Sequence, residues 1–145
     1  MKINFFTMLV VLFFGCQGFS IRNIGKGPLS NYEIWSMSHQ SKLEVQKALL
    51  ECGYPNSYSF DFNPPNIKAD MNAYILAKRC MLKAGFIQME SYQNDLQNRL
   101  CNKKYHDYPA CDLPWDEIPD RNITKRLESD YCKHKIYRTY PDCQP

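Results

Sequence analysis

Histidines, cysteines and one run of carboxylates are the residues of this chain whose chemistry could be put to use. Of His39, His106 and His134, His106 is the most suggestive, because Tyr105-His106-Asp107 sets an imidazole beside a carboxylate. Neighbours in sequence do not normally orient one another's side chains, however, and no serine or cysteine stands in a recognisable nucleophile context. The reading is therefore non-enzymatic, with no catalytic residue and His106 at the surface. Asp112, Asp116, Glu117 and Asp120 could in principle bind calcium, but no glycine-centred ligand loop accompanies them. A solvated acidic loop is the expectation, and neither a metal nor a cofactor is called for.

Seven cysteines are a different kind of signal. Cys16 lies within a leader-like start: Lys2 supplies a positive charge, residues 3–14 are mostly apolar, and residues 15–20 are small and mildly polar. A dozen apolar residues suit a secretory signal and are too few to span a bilayer, which takes about 20. Residues 1–20 are expected to be a signal peptide, cut after Gly18 or Ser20. Removing it takes Lys2 away and lowers the formal charge from +3 to +2, which is no mark of a nucleic-acid binder. Six cysteines then remain: Cys52, Cys80, Cys101, Cys111, Cys132 and Cys143. An even number in a short secreted chain points to disulfides, and spacing alone leaves their pairing open. Zinc is disfavoured, because no CxxC brings two ligands onto one turn.

Two features suit binding. Lys125, Arg126, Lys133, Lys135 and Arg138 would form a basic stripe on a C-terminal helix, open to an anionic surface or an acidic protein partner; an ordinary solvated face is the plainer alternative. Ten tyrosines offer large rings with polar tips, suited to interfaces or cavity walls and equally to packing. Asn122-Ile123-Thr124 is a glycosylation triplet, with Asn122 the acceptor if it lies at the surface.

The elements that must position these residues read as helical. Ser41 with Glu44 has capping-box spacing, Val45, Leu49 and Cys52 recur at helical intervals, and Gly53 followed by Pro55 stops the run. A longer helix is expected from about Asn66 to Ala84, ended by Gly85, with Ile67, Met71, Tyr74, Ile75, Lys78, Met81 and Leu82 along one face. Further helices are expected over residues 91–103 and 122–137. Pro109, Pro114 and Pro119 keep residues 105–120 irregular, as tyrosine, asparagine and proline do over 54–65. No segment alternates with a two-residue period. The expected fold over residues 21–145 is one all-α domain: a small disulfide-stabilised array of about four helices with two long Pro-rich loops.

The run DMNAYILAKRCMLKAGFI over residues 70–87 resembles the third-helix region of insect odorant-binding proteins. That superfamily includes salivary carriers of biting flies and related venom proteins. Cys80, Gly85, Phe86 and Ile87 fit the family's helix-cysteine-glycine-apolar shape; Cys52 resembles its first cysteine, and Cys132 and Cys143 its last two. The chain departs from the pattern at Leu76, where the family has its second cysteine, at the wider gap between Cys132 and Cys143, and at Cys101. The resemblance implies interlocked disulfides, Cys52 with Cys80, Cys101 with Cys132 and Cys111 with Cys143. It also implies a cavity for a small hydrophobic or amine ligand, with Leu76, Met81, Phe86 and Tyr131 among its lining. Two functions follow as expectations. The first is a secreted effector that binds a partner protein or surface; the second is a ligand carrier. A closed apolar cavity would favour the carrier, whereas a packed core with an exposed aromatic patch would favour the effector.

Overall fold

The computed structural model describes residues 29–58, 67–89, 96–104 and 107–145; the expected signal peptide and His106 lie outside them. Five short α-helices occur among the described residues: α1 (Lys42–Cys52), α2 (Ile67–Lys83), α3 (Pro109–Asp112), α4 (Ile123–Leu127) and α5 (Asp130–Lys133). Two two-residue strands, β1 (Trp35–Ser36) and β2 (Ile87–Gln88), pair antiparallel, with Trp35 opposite Gln88 and Ser36 opposite Ile87. The fold is thus helix-rich, with a minimal sheet that the absence of alternation in the sequence had not anticipated.

Helix α1 starts where its cap is written. The Ser41 hydroxyl accepts the Glu44 N–H at 3.2 Å, satisfying one donor that the first helical turn leaves open. Glu44 does not complete the box; its carboxylate is taken by Arg121 at 2.6 Å. Gly53 ends the helix at φ +101°, a left-handed geometry that side chains disfavour. Helix α1 is buried on two sides. Val45, Ala48, Leu49 and Cys52 join Ile34, Trp35, Tyr54, Ala77, Cys80, Met81, Phe86 and Ile118 in the main core. Leu50 points instead into a smaller cluster with Cys132, Cys143 and Tyr131.

Helix α2 carries Ile75, Ala77, Lys78, Cys80 and Met81 as its buried residues. It also holds the Pro-rich stretch that follows. The Arg79 guanidinium donates to the carbonyls of Ala110, Cys111 and Leu113, at 2.7, 3.3 and 2.7 Å. Lys83 donates to Ile118 O at 2.6 Å and pairs with Asp120 at 3.0 Å. Prolines remove backbone donors, so a Pro-rich segment satisfies few carbonyls by itself; here two cations on one helix do so.

Two expected helices differ. Of the helix expected over residues 91–103, residues 91–95 lie outside the described residues; Leu96–Leu100 is a single π-turn, and the chain leaves it at Cys101. The helix expected over 122–137 breaks into α4 and α5 at Glu128 and Ser129. Ser129 turns extended and its hydroxyl caps the Cys132 N–H. That break reorients the chain, so that Cys132 reaches Cys143 beside Leu50.

The disulfides are Cys52–Cys80, Cys101–Cys111 and Cys132–Cys143. The first joins α1 to α2 across the core; the others each close a short local loop. The pairing is sequential, so the two further bonds implied by the family resemblance, Cys101–Cys132 and Cys111–Cys143, are not those the protein forms.

Candidate interaction surface

The segment between Cys132 and Cys143 is tied at both ends and carries most of a surface built from aromatic rings. Tyr137 stacks on Tyr131, centroids 4.8 Å apart and planes 12° off parallel, while Tyr140 meets Tyr137 edge-on at 5.5 Å. His134 leans on Tyr137 at 4.9 Å. The row continues onto the N-terminal part of the chain: Tyr131 faces Tyr58 at 6.5 Å, and Tyr58 meets Tyr32 edge-on at 5.5 Å. The Lys42 ammonium sits over the Tyr32 ring, 5.1 Å from its centroid. Such offset and edge-on pairs add about 0.5–1.5 kcal/mol each beyond burial. The row is therefore a fixed relief rather than a set of independent side chains.

Its foundation is a buried carboxylate. Asp142, only 1% exposed, accepts the Ser57 hydroxyl at 2.8 Å and the Tyr131 phenol at 3.4 Å through Oδ2. Residues 57 and 58 are held in turn by Tyr32 N–H to Ser57 O and Asn31 N–H to Tyr58 O. Burial, and then the Asp142 charge, holds the Tyr131 phenol far above its ordinary pKa; the same two causes raise Tyr58. Burial also raises Tyr54 in the core well above its ordinary value, with the Tyr74 charge second.

These raised values have a consequence for stability. A phenol whose folded pKa exceeds its unfolded value binds its proton more tightly in the folded state. Above the unfolded value of about 10, the unfolded chain has released protons that the native state still holds, and stability falls with pH. The melting temperature is expected to stay level up to about pH 9 and to drop beyond about pH 10. Tyrosine absorbance should show Tyr54 and Tyr131 ionising only with unfolding. Ionisation of all the tyrosines near pH 10 with no loss of structure would contradict the buried geometry.

The carrier residues are not gathered around one space. Met81 and Phe86 are fully inside the main core, and Leu76 packs against it half-buried. Tyr131 belongs to the separate cluster beneath the tyrosine row. None of the four lines either of two open clefts. One, of about 600 Å³, lies between Arg79, Trp115 and the Cys101–Cys111 bond. The other, of about 390 Å³, lies between Pro55, Lys125 and Asp130.

The basic stripe is also divided. Lys125, Lys133, Lys135 and Arg138 are exposed. Arg126 is not a surface residue: it is 1% exposed, with Nε on Glu51 Oε1 at 3.0 Å and Nη1 donating to the carbonyls of Asp142 and Gln144. It anchors the chain end against α1 and has no face to offer a partner. Asn122 is exposed and caps α4, its Oδ1 accepting the Thr124 N–H at 2.8 Å. The acidic run does not converge: Asp112 pairs with Lys103 at 2.9 Å and Asp120 with Lys83. Among the described residues, no three His, Cys, Asp or Glu side chains are grouped to hold a metal ion.

Nothing in the sequence distinguishes Tyr32, Tyr58, Tyr137, Tyr140 and Lys42 as one group. Tyr131, Tyr137 and Tyr140 between two cysteines were the available signal; the contribution of Tyr32 and Tyr58 depends on how the chain folds back. Among the described residues no helix is long and apolar enough to cross a membrane, and three disulfides are compatible with an extracellular protein. No protein-family model, curated protein or solved structure matches the chain.

Proposed function

We propose that this protein is secreted and acts without catalysis, by binding a partner protein through the tyrosine row. The continuous contact of five tyrosine rings above a packed core carries the reading. Tyr58 and Tyr140 remain 41% and 37% exposed although each already has aromatic neighbours. Tyrosine supplies large contact area while losing few rotamers, which is why it is enriched where proteins meet. The foundation of Asp142, Ser57 and the Cys132–Cys143 bond sets the rings in place before binding, so little ordering cost remains.

The test compares two kinds of occupant. Immobilised protein is exposed to the fluid into which it is secreted, alongside Tyr137→Ala and Tyr140→Ala variants with unchanged melting temperature. A partner that is retained by the native chain and lost by about tenfold or more in these variants supports the reading. Saturable one-to-one binding of the apolar dye N-phenyl-1-naphthylamine, unaffected by either substitution, would replace it with the ligand-carrier function.

A further inference from the structure

The same surface carries a strong bias of charge. Between Cys132 and Cys143 the chain presents Lys133, Lys135 and Arg138, all exposed, and its only carboxylate, Asp142, is turned inward beneath Tyr131. At the other end of the row Lys42 adds a fourth cation over Tyr32. Three acidic residues adjoin these elements: Glu33, whose carboxylate accepts the Ser30 N–H at 2.8 Å, and Glu128 and Asp130, which line a cleft with Lys125; with Lys125 counted, cations still outnumber them five to three. Ile136, between the cations and next to Tyr137, is 60% exposed.

We infer that the row recognises the acidic face of a protein: carboxylates around an apolar or aromatic centre. This rests on the interaction reading above and specifies the partner's chemistry. Lys42 lies over Tyr32, and the cations of the loop are interspersed with Tyr131, Tyr137 and Tyr140 along the chain; exposed charges so placed steer encounter and exclude wrong partners, and the rings with Ile136 supply the apolar contact. A sulfated glycan or an anionic membrane would engage the cations equally well. A glycan would leave Ile136 without an apolar counterpart, and the row lacks the continuous apolar face of a membrane-surface helix. A protein face fits both parts of the surface. The disulfide presents the cations on a closed loop, which limits the ordering entropy that binding has to overcome.

The experiment uses the whole secreted chain and defined probes: a random glutamate–tyrosine copolymer, polyglutamate, heparin and phosphatidylserine vesicles. The copolymer should bind more tightly than polyglutamate, and its binding should weaken as salt is raised. Reversing the loop charges together (Lys133→Glu, Lys135→Glu, Arg138→Glu) should weaken it by about tenfold or more, and Tyr137→Ala by about fivefold. These positions are exposed or half-buried, so melting temperatures serve as the folding control. Tighter binding to heparin or vesicles than to the copolymer, insensitive to Tyr137→Ala, would overturn the inference in favour of a glycan or a membrane. Copolymer binding unchanged by charge reversal, or no binding of any probe, would also overturn it. The broader reading fails separately: a natural partner that tolerates charge reversal but is lost on Tyr137→Ala leaves an interaction surface standing without its acidic specificity.

Discussion

Replacing the buried Glu51 by alanine is expected to remove about 3–5 kcal/mol of stability. Glu51 stands at the end of α1 and serves two arginines. Its Oε1 accepts Arg126 Nε at 3.0 Å, and its Oε2 accepts Arg121 Nε at 2.7 Å. Arg126 has 2% of its side chain exposed, so without Glu51 its charge would lie buried with only the carbonyls of Asp142 and Gln144 as acceptors. Breaking a buried pair on one side costs far more than the pair contributes, because the survivor keeps its desolvation penalty. Glu44→Ala is the contrast. It removes a partner of Arg121 in a pair that is 33% and 28% exposed, and such pairs are worth under about 1 kcal/mol. Urea unfolding of the two variants separates these cases; a Glu51→Ala loss no greater than that of Glu44→Ala would show that Arg126 is solvated. The loss should also reach the tyrosine row, since Arg126 holds the segment that contains Asp142.

Removing the Cys52–Cys80 bond with paired alanines is expected to have the second large effect, about 4–6 kcal/mol. The link spans 28 residues, and closing a loop of that size restricts the unfolded chain by about 3–4 kcal/mol. Both sulfurs lie inside the main core between α1 and α2, and the space they vacate adds about 1–2 kcal/mol. A domain at the lower end of the usual range, with a total stability of about 5 kcal/mol, would then be near its unfolding midpoint. The equivalent change at Cys101 and Cys111 should cost about 2–3 kcal/mol, because that loop spans only 10 residues and lies at the rim of an open cleft. Circular dichroism melts of the two double variants check the order. A difference of only about 1 kcal/mol would mean that the core bond contributes nothing beyond its longer loop.

The two longer helices were legible because their signals are local. Ser41, Gly53 and Gly85 act within one turn of where they stand, and the apolar intervals between them repeat whatever the rest of the chain does. The break in the C-terminal helix is not legible, for the complementary reason. Ile123, Leu127 and Tyr131 keep a helical interval, yet Leu127 is exposed and Tyr131 belongs to the second cluster. The break at Ser129 satisfies tertiary demands: Arg126 turned in to Glu51, and Cys132 turned toward Cys143. A periodicity scan sees neither partner, since Glu51 lies 75 residues from Arg126.

The chain's composition and local order were enough to show a helix-rich body with six cysteines beyond the leader and a large supply of tyrosine. Those are properties of residue type and short-range spacing. Which cysteines pair, that Arg126 is a buried anchor while its neighbour Lys125 is exposed, and that tyrosines from two distant parts of the chain form one row were decided by tertiary packing. Each depends on two segments meeting, and the free energy of that meeting comes from the apolar surface buried across the whole domain, which no local stretch of sequence records.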